Sequence, residues 1–411
     1  YASCNVPDGG GADTEHAEIW RSEDNGVTWN LRNSTTNYLG QQGWYNNVIW
    51  VEPQFSNSII VGGINLYKSI DGGSNLSVMS NWRLYHGGGA SAHADQHAIT
   101  PNINYDPSGN RYIYIGNDGG VQAATNGFLT EPTAWWLNLA NNLGITQFYG
   151  ADASPDGNVI LGGSQDNDDL RFTRAAGAQD WYQAHTGDGS YCGINPIHPD
   201  TMYTAYTHLE IARSTDGGYS YIPIHAEIGD AGDPDNALFI APFALDKVGP
   251  YQLLAGGTSI WRSYDHGWNW HSVLDPRVGS PKCSAVEISP TAGSMVSWVG
   301  YEDGQIWKSE NTTMDWTGVD IFDGVLPDDV VTDIEISPHD PSTIIVTFGG
   351  YFGDRVWRTT NNGVSWTCIE GSGAHTLPAI QKNCVTFHPN NPNWIYVGTD
   401  LGLFASEDLG Q

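Results

Sequence analysis

The residues best able to do chemistry lie in short polar segments of a glycine-rich chain. His93 and His97 flank Asp95 at alternating positions, so in an extended segment the three side chains would point to one side. Completed by Asp118 or Asp166, this set could hold a metal ion, and either histidine could act as the base of a polysaccharide lyase. The same pattern also arises where histidines only satisfy hydrogen bonds, and we favour that interpretation over a metal site.

Carboxylates offer a second kind of chemistry, because a glycoside hydrolase works with a pair of acids. An inverting enzyme holds them roughly 6.5–9.5 Å apart and raises the pKa of one. The best candidates for catalytic acids are Asp95, Asp166 and Asp188. Asp166, Asp168 and Asp169 could instead bind Ca²⁺, although they lack the spacing of an EF-hand loop. We therefore predict no certain cofactor and keep calcium as the open alternative.

Composition limits the classes of partner. The 411 residues include 46 Asp and Glu against 16 Lys and Arg, which gives a formal net charge of −30. Such a surface repels phosphate backbones and anionic lipid, so we expect no nucleic-acid partner and no membrane insertion. No apolar run approaches the roughly 18 residues of a membrane helix. The 50 glycines and 17 tryptophans indicate β structure.

The cysteines and the chain ends carry less information. The chain contains Cys4, Cys192, Cys283, Cys368 and Cys384, without a CxxC pair or a zinc spacing. Cys368 and Cys384 are close enough in sequence to pair, but the pairing stays open and an odd count leaves one thiol over. The first residues are not a signal peptide. We expect a segment of a larger secreted protein, whose first unit lacks strand one and whose last unit lacks strand four.

The elements that must position these residues belong to a repeat that covers most of the chain. Its box consists of an aromatic residue, a cation, Ser or Thr, any residue, Asp or Asn, any residue, Gly and a further aromatic residue. Boxes begin at Trp20, Tyr67, Arg213, Trp261, Trp307 and Trp357, and the chain stops inside another at Ser406. The Asp or Asn of the boxes recurs every 46–50 residues, except that Asp71 and Asp216 are 145 residues apart, which is close to three periods and indicates two degenerate copies between them. Such a period indicates a repeat architecture.

Each period contains four short runs of strand character, which is the pattern of a β-propeller blade. We therefore predict an all-β protein, a β-propeller of four-stranded blades with about eight to nine repeat units. The approximate units are 1–40, 41–86, 87–142, 143–185, 186–230, 231–278, 279–325, 326–372 and 373–411. The box should form the hairpin between the third and fourth strands, because Asp or Asn accepts backbone N–H bonds and Gly supplies a positive φ.

The boxes resemble Asp-boxes, the repeats of bacterial neuraminidases. Segments 43–46, 93–97, 116–120 and 163–167 look like those of secreted bacterial propellers related to sortilin and to glycoside hydrolase family 74. The resemblance implies a β-propeller fold and an extracellular or cell-surface location. Family 74 enzymes place two catalytic aspartates across a cleft between two propellers, and the resemblance assigns no residue here. A sialidase is disfavoured, because no Arg-Ile-Pro segment occurs and several arginines belong to boxes.

Blade topology predicts where the unusual polar loops meet. Loops that precede a first strand, or that join the second and third strands, share one face around the mouth of the central channel. Convergent polar groups at a concave mouth are the default binding-site hypothesis. The predicted ligand-binding residues are Tyr45, His93, Asp95, His97, Asp118, Gln165, Asp166 and Asp188.

Two classes of function remain open. The first is a module that binds an extracellular glycan or protein through this face, with self-assembly or a further propeller domain as additional partners. Aromatic residues that could stack on sugar rings are Trp44, Tyr45, Trp135, Trp136, Tyr182 and Tyr351. The second class is a glycoside hydrolase of the family 74 type (endo-glucanase or xyloglucanase), or a polysaccharide lyase. We favour the binding module, because the sequence contains no convincing nucleophile or acid–base constellation.

Overall fold

Short strands pair with their neighbours in sequence and form nine antiparallel sheets among the residues described. The structure is a computed structural model, and it describes residues 1–7, 15–85, 90–140, 143–178, 180–277, 279–291, 294, 296–309, 316–319 and 325–410. Seven sheets have four strands, and the first and the last have three. Repeated four-stranded antiparallel sheets are the blades of a β-propeller, so the predicted all-β fold class is confirmed.

The chain divides into two compact units, and unit 1 is Tyr1–Ile145. It holds three sheets and two short 3₁₀ turns, Trp82–Leu84 and Gly127–Leu129. Sheet 1 contains β1 (Ala2–Pro7), β2 (Glu15–Arg21) and β3 (Asn30–Asn33). Sheet 2 contains β4 (Val48–Val51), β5 (Ile59–Gly62), β6 (Leu66–Ser69) and β7 (Ser77–Val78). Sheet 3 contains β8 (Gln96–Pro101), β9 (Ile113–Asn117), β10 (Gly120–Ala124) and β11 (Trp136–Asn138).

Unit 2, Thr146–Gln411, holds six sheets. Sheet 4 contains β12 (Phe148–Ala153), β13 (Val159–Ser164), β14 (Asp169–Thr173) and β15 (Trp181–His185). Sheet 5 contains β16 (Cys192–Ile194), β17 (Met202–Ala205), β18 (Ile211–Ser214) and β19 (Ile222–Pro223). Sheet 6 contains β20 (Phe243–Leu245), β21 (Leu253–Gly256), β22 (Ile260–Ser263) and β23 (Trp270–Leu274).

Three further sheets complete unit 2. Sheet 7 contains β24 (Cys283–Ile288), β25 (Ser297–Tyr301), β26 (Ile306–Ser309) and β27 (Trp316–Val319). Sheet 8 contains β28 (Val331–Ile336), β29 (Ile344–Phe348), β30 (Val356–Thr359) and β31 (Thr367–Cys368). Sheet 9 contains β32 (Lys382–Phe387), β33 (Ile395–Thr399) and β34 (Gly402–Ser406). A 3₁₀ turn, Gly373–His375, precedes sheet 9.

Within each unit the hydrophobic core lies between successive sheets. Tyr203 of sheet 5 packs with Phe243 and Trp270 of sheet 6, and all three are buried. Burying a large apolar side chain in this way contributes roughly 1.5–3 kcal/mol. The first strands of neighbouring sheets also lie side by side, as β24, β28 and β32 do. The first strands of unit 2 therefore form the inner wall of this unit, and their inward side chains face one another.

The box builds the hairpin that its residues predict. In the box of sheet 5, the Ser214 hydroxyl donates to Asp216 Oδ1 at 2.7 Å and accepts the Gly218 N–H at 2.9 Å. Asp216 also accepts the Ser220 N–H at 3.0 Å, and Gly218 has a φ of +85°. The Asp216 carboxylate therefore serves to close the turn. In the box of sheet 7, Glu310 and Asn311 lie outside the described residues.

In the sheets that carry a box, the box cation contacts the following sheet, a role that sequence analysis did not assign. In unit 1, Lys68 Nζ of sheet 2 donates to the carbonyl oxygens of Phe128 (2.9 Å) and Thr130 (2.7 Å) beside sheet 3. In unit 2, Arg358 of sheet 8 donates to the Leu409 carbonyl oxygen at 2.9 Å. Arg171 on β14 plays the same part for sheet 4, which has no box. We name these residues the inter-sheet cations; they are Arg21, Lys68, Arg171, Arg213, Arg262, Lys308 and Arg358.

Replacing Arg358 by methionine should lower the free energy of unfolding by about 1 kcal/mol, the usual worth of one hydrogen bond. Methionine keeps the apolar stem but removes the donor to the Leu409 carbonyl oxygen. Urea denaturation followed by tryptophan fluorescence would measure the change. The matched control is Arg174→Met, because Arg174 is exposed and its replacement should leave the midpoint within error. Equal midpoints for the two variants would contradict the linking role.

The described part of the chain contains neither a disulfide bond nor a membrane-spanning helix. All five cysteines are free thiols, so Cys368 and Cys384 are not paired. None of the helices among the described residues has the length and apolar character to cross a bilayer.

Candidate functional site

In unit 1 the structure brings three predicted segments together at one end of sheets 2 and 3. Segment 43–46 precedes β4, segment 93–97 leads into β8, and residues 118–119 join β9 to β10. The Tyr45 hydroxyl donates to Asp118 Oδ2 at 2.9 Å, and His97 Nε2 lies 2.6 Å from Asp118 Oδ1. One carboxylate therefore joins residues from three separate loops. We name Trp44, Tyr45, His97 and Asp118 the Tyr45 cluster.

The aromatic rings of the Tyr45 cluster remain open to solvent. Trp44 is 76% exposed and Tyr45 is 44% exposed. The two rings are tilted against each other with centroids 5.7 Å apart, and the Tyr45 ring meets His97 edge-on at 5.0 Å. An exposed aromatic surface beside a carboxylate and an imidazole offers both apolar contact and hydrogen-bonding groups to a ligand.

Asp95 lies beneath this cluster and is largely withdrawn from solvent. It is 9% exposed, and the Asn46 side-chain amide donates to its Oδ1. Burial raises the pKa of Asp95, and the nearby Asp118 carboxylate adds to the increase. Oxygens of the two carboxylates lie within 4.8 Å of each other. This separation is shorter than the roughly 6.5–9.5 Å of an inverting hydrolase.

His93 does not share a side with Asp95 and His97 in the way that an extended segment would require. Asp95 has a φ of +62°, so the chain bends there before β8 begins at Gln96. His93 is buried, with Nδ1 3.2 Å from the Ala94 carbonyl oxygen and its ring edge-on to Tyr85 at 4.9 Å. His93 therefore supports the loop, as the hydrogen-bonding interpretation of the pattern expects.

Buried amide side chains that sequence analysis missed hold the loop containing Asp118. Asn117 Nδ2 donates to Gln96 Oε1 at 3.2 Å and to Gln122 Oε1 at 2.5 Å. The Gln122 amide in turn donates to the Gly119 carbonyl oxygen at 3.1 Å. Gly119 must be glycine, because a Cβ there would lie 2.4 Å from the Cβ of His93. Only the run of polar residues around the predicted β9–β10 hairpin could have signalled this network.

In unit 2 the loop between β13 and β14 contacts the loop between β15 and β16. The Asp166 N–H donates to Asp188 Oδ1 at 2.8 Å, and the Gly187 N–H donates to Asp168 Oδ1 at 2.8 Å. Asp166 and Asp168 both have positive φ values, 54° and 68°. The neighbouring Gln165 donates its N–H to the Gln147 carbonyl oxygen at 3.0 Å. Asp168 and Asp188 thus bind backbone N–H groups and fix the two loops.

Asp169 points away from this pair of loops. Its side chain is 1% exposed and lies 3.5 Å from His185 Nδ1 and 3.7 Å from Cys192 Sγ. Burial raises the pKa of Asp169 to about 6. Asp166, Asp168 and Asp169 therefore do not converge on one Ca²⁺ position. In neither unit, taken by itself, do three metal-ligating atoms of the described residues lie within 4.8 Å of one another.

The other predicted stacking residues are scattered. Trp135, Tyr182 and Tyr351 are each about half exposed, at 56%, 49% and 55%. Trp136 packs against the core of sheets 2 and 3, and its indole N–H donates to the Glu131 carbonyl oxygen at 3.0 Å. Of these aromatic candidates, only Trp44 and Tyr45 lie beside an imidazole–carboxylate pair among the described residues.

Comparisons with known proteins find a likeness in structure but none in sequence. No family model matches the chain, and no curated protein matches it in sequence. Among solved structures, the chain is similar to YCF48 from Cyanidioschyzon merolae, with 12% sequence identity and a TM-score of 0.45. The match covers 87% of this chain and 94% of that one.

Proposed function

We propose that the protein is a secreted β-propeller module that binds extracellular glycan through the Tyr45 cluster. The observation that carries the proposal is an exposed Trp44–Tyr45 surface next to the hydrogen-bonded Asp118 and His97. Sugar rings present apolar C–H faces and hydroxyl groups together, which these two kinds of side chain match. The formal charge of −30 disfavours polyanionic partners such as nucleic acids.

The buried amides support binding, because they hold the cluster in one geometry before a ligand arrives. Asn117 precedes Asp118 directly and bonds both Gln96 and Gln122. A loop fixed in this way loses little conformational freedom on binding, which favours affinity. The proposed role therefore does not require a conformational change.

Replacing Trp44 by alanine should weaken glycan binding about tenfold, since one stacked ring contributes on the order of 1–2 kcal/mol. A glycan array would identify the ligand, and isothermal titration would give the ratio of affinities. The matched control is Phe55→Ala, because Phe55 is also exposed in unit 1 (58%) but lies in the β4–β5 loop at the other end of sheet 2. An equal loss for both variants, or no glycan bound at all, would contradict the proposal.

A hydrolase remains the second candidate, because Asp95 has a raised pKa and an adjacent carboxylate, Asp118. Such a pair could supply a general acid and a charged partner. A reducing-sugar assay on plant and algal polysaccharides tests this alternative. Turnover that is abolished by Asp95→Asn, while Trp44→Ala only raises KM, would replace the binding function by an enzymatic one.

A further inference from the structure

A cavity of about 400 Å³ opens in unit 2 between sheets 4 and 5. It lies beside the loop that joins β15 to β16 and the hairpin that joins β17 to β18. Its lining includes His185, Thr186, Tyr206, Glu210, Pro223 and His225. The size falls in the range of small-molecule sites, roughly 300–1,000 Å³. The Tyr45 cluster contains none of these residues.

In each of the two histidines, Nδ1 lies next to an oxygen atom of the protein. His225 Nδ1 lies 3.0 Å from the Ile211 carbonyl oxygen, to which it donates as the N–H tautomer. His185 Nδ1 is buried and lies 3.5 Å from the Asp169 carboxylate. The hydrogen bond at one ring nitrogen sets the state of the other. The Nε2 atoms of both histidines are therefore the groups left for a ligand.

One aromatic side chain, Tyr206, also lines the cavity. Tyr206 is 36% exposed, and its ring lies close above Gly187, where an added Cβ would be 2.6 Å from the ring. Gly187 also has a φ of +106°. Both the backbone conformation and the lack of space for a Cβ therefore require glycine at this position. The flat ring, together with Pro223 and Ala212, adds apolar surface to the lining that contains the two imidazoles.

The charge of the lining limits the class of ligand. Among the described residues that line the cavity none is Lys or Arg, whereas Glu210 contributes a carboxylate. A ligand carboxylate, sulfate or phosphate would meet a like charge without a cation to offset it. Hydroxyl groups suit the carboxylate and the imidazole nitrogens, because they can donate to these acceptors.

We propose that this cavity binds an uncharged pyranose residue, with its C–H face on Tyr206 and its hydroxyl groups on Glu210, His185 and His225. The proposal deepens the glycan-binding function by adding a second sugar site and naming its chemical class. Asp169 acts here as a positioning residue, because it touches His185 and is itself shielded from the cavity.

The test follows the histidine signals of ¹³C-histidine-labelled protein during titration with glucose, galactose and their uronic acids. The signals of His185 and His225 are assigned from the His185→Gln and His225→Gln variants. We expect both signals to shift with at least one neutral sugar and not with the matching uronate. Tyr206→Ala should weaken the neutral-sugar titration at least fivefold, whereas Tyr219→Ala, an exposed tyrosine outside the lining, should not.

Glu210→Gln provides a gain-of-function test, since it removes the charge and keeps the shape. This variant should bind the uronate with an affinity close to that of the neutral sugar. Uronate binding by the unmodified protein, or histidine signals that respond to Zn²⁺ but to no sugar, would overturn the proposal. Histidine shifts with a neutral sugar, together with glycan-array binding that Trp44→Ala leaves unchanged, would refute the Tyr45 cluster and support this cavity, so the two proposals can fail separately.

Discussion

Glu335→Gln should stabilise the protein at pH 8 by about 2 kcal/mol. A pKa shift of one unit corresponds to about 1.4 kcal/mol, and the half-buried carboxyl group keeps part of its hydration, which reduces the full effect. Glu335 lies on β28, a first strand at the inner wall of unit 2. Burial, with a contribution from the Asp333 carboxylate, raises the pKa of Glu335 to about 8. Burial also raises the pKa of Glu287 on β24, with Glu335 as the largest charged contributor. Ionising these acids in the folded state is therefore costly.

The direction of the pH dependence follows from these shifts. Between the ordinary glutamate pKa near 4.5 and the raised value near 8, the folded state binds more protons than the unfolded state. The stability that Glu335 contributes is complete below about pH 4.5 and is lost as the pH rises through 8. Glutamine cannot ionise, so the variant should lose this decline.

Thermal unfolding between pH 5 and pH 8.5 measures the effect, which should reach a few degrees in Tm at pH 8. The control is Glu407→Gln, because Glu407 is exposed and its replacement should leave the profile unchanged. A Glu335→Gln profile that falls in parallel with that of the unmodified protein would show that Glu335 ionises in the folded state as freely as in the unfolded chain.

Gly163→Ala should lower the free energy of unfolding by about 3 kcal/mol, the range of severe steric substitutions. A Cβ at residue 163 would lie 2.0 Å from the Ser190 carbonyl oxygen and 2.4 Å from its nitrogen. Both are backbone atoms, so a side-chain rotation cannot relieve the clash. The loop from β15 to β16 would have to move away from β13, and it carries Asp188 as well as part of the cavity.

Chemical denaturation of Gly163→Ala measures the loss, with Gly144→Ala as the control. Gly144 has open space around its Cβ position and should tolerate alanine. The histidine signal of His185 should also change in Gly163→Ala, because the displaced loop begins at this residue. A variant with unchanged stability would mean that the backbone contact between residues 163 and 190 is looser than in the structure.

The fold could be predicted because its signal is repeated along the chain. The box needs the same Ser, Asp and Gly in each turn, as Ser214, Asp216 and Gly218 show, so one local rule identifies many hairpins. The short runs of strand character in each period then predict four strands per unit. The order of strands in each sheet followed from these two facts.

The side chains at the site were harder to predict, because their partners are distant in sequence. Tyr45 and Asp118 were both proposed as ligand-binding residues, but 73 residues separate them and the sequence did not indicate their hydrogen bond. Asp169 follows four acidic or amide residues, yet it turns inward to His185, since β14 begins there and alternates its side chains. Local composition could not distinguish it from its exposed neighbours.

The inter-sheet cations give the repeat a direction. Each cation reaches from its own sheet to the following one, as Lys308 of sheet 7 does to the Asn362 carbonyl oxygen and Arg358 of sheet 8 to that of Leu409. If a sheet unfolds, the preceding sheet is left with a half-buried cation that has lost its acceptor, whereas the following sheet keeps all its own donors. Unfolding that starts at sheet 9 should therefore spread cooperatively toward sheet 4. In a mechanical unfolding experiment, the force needed to unfold unit 2 should differ between its two ends.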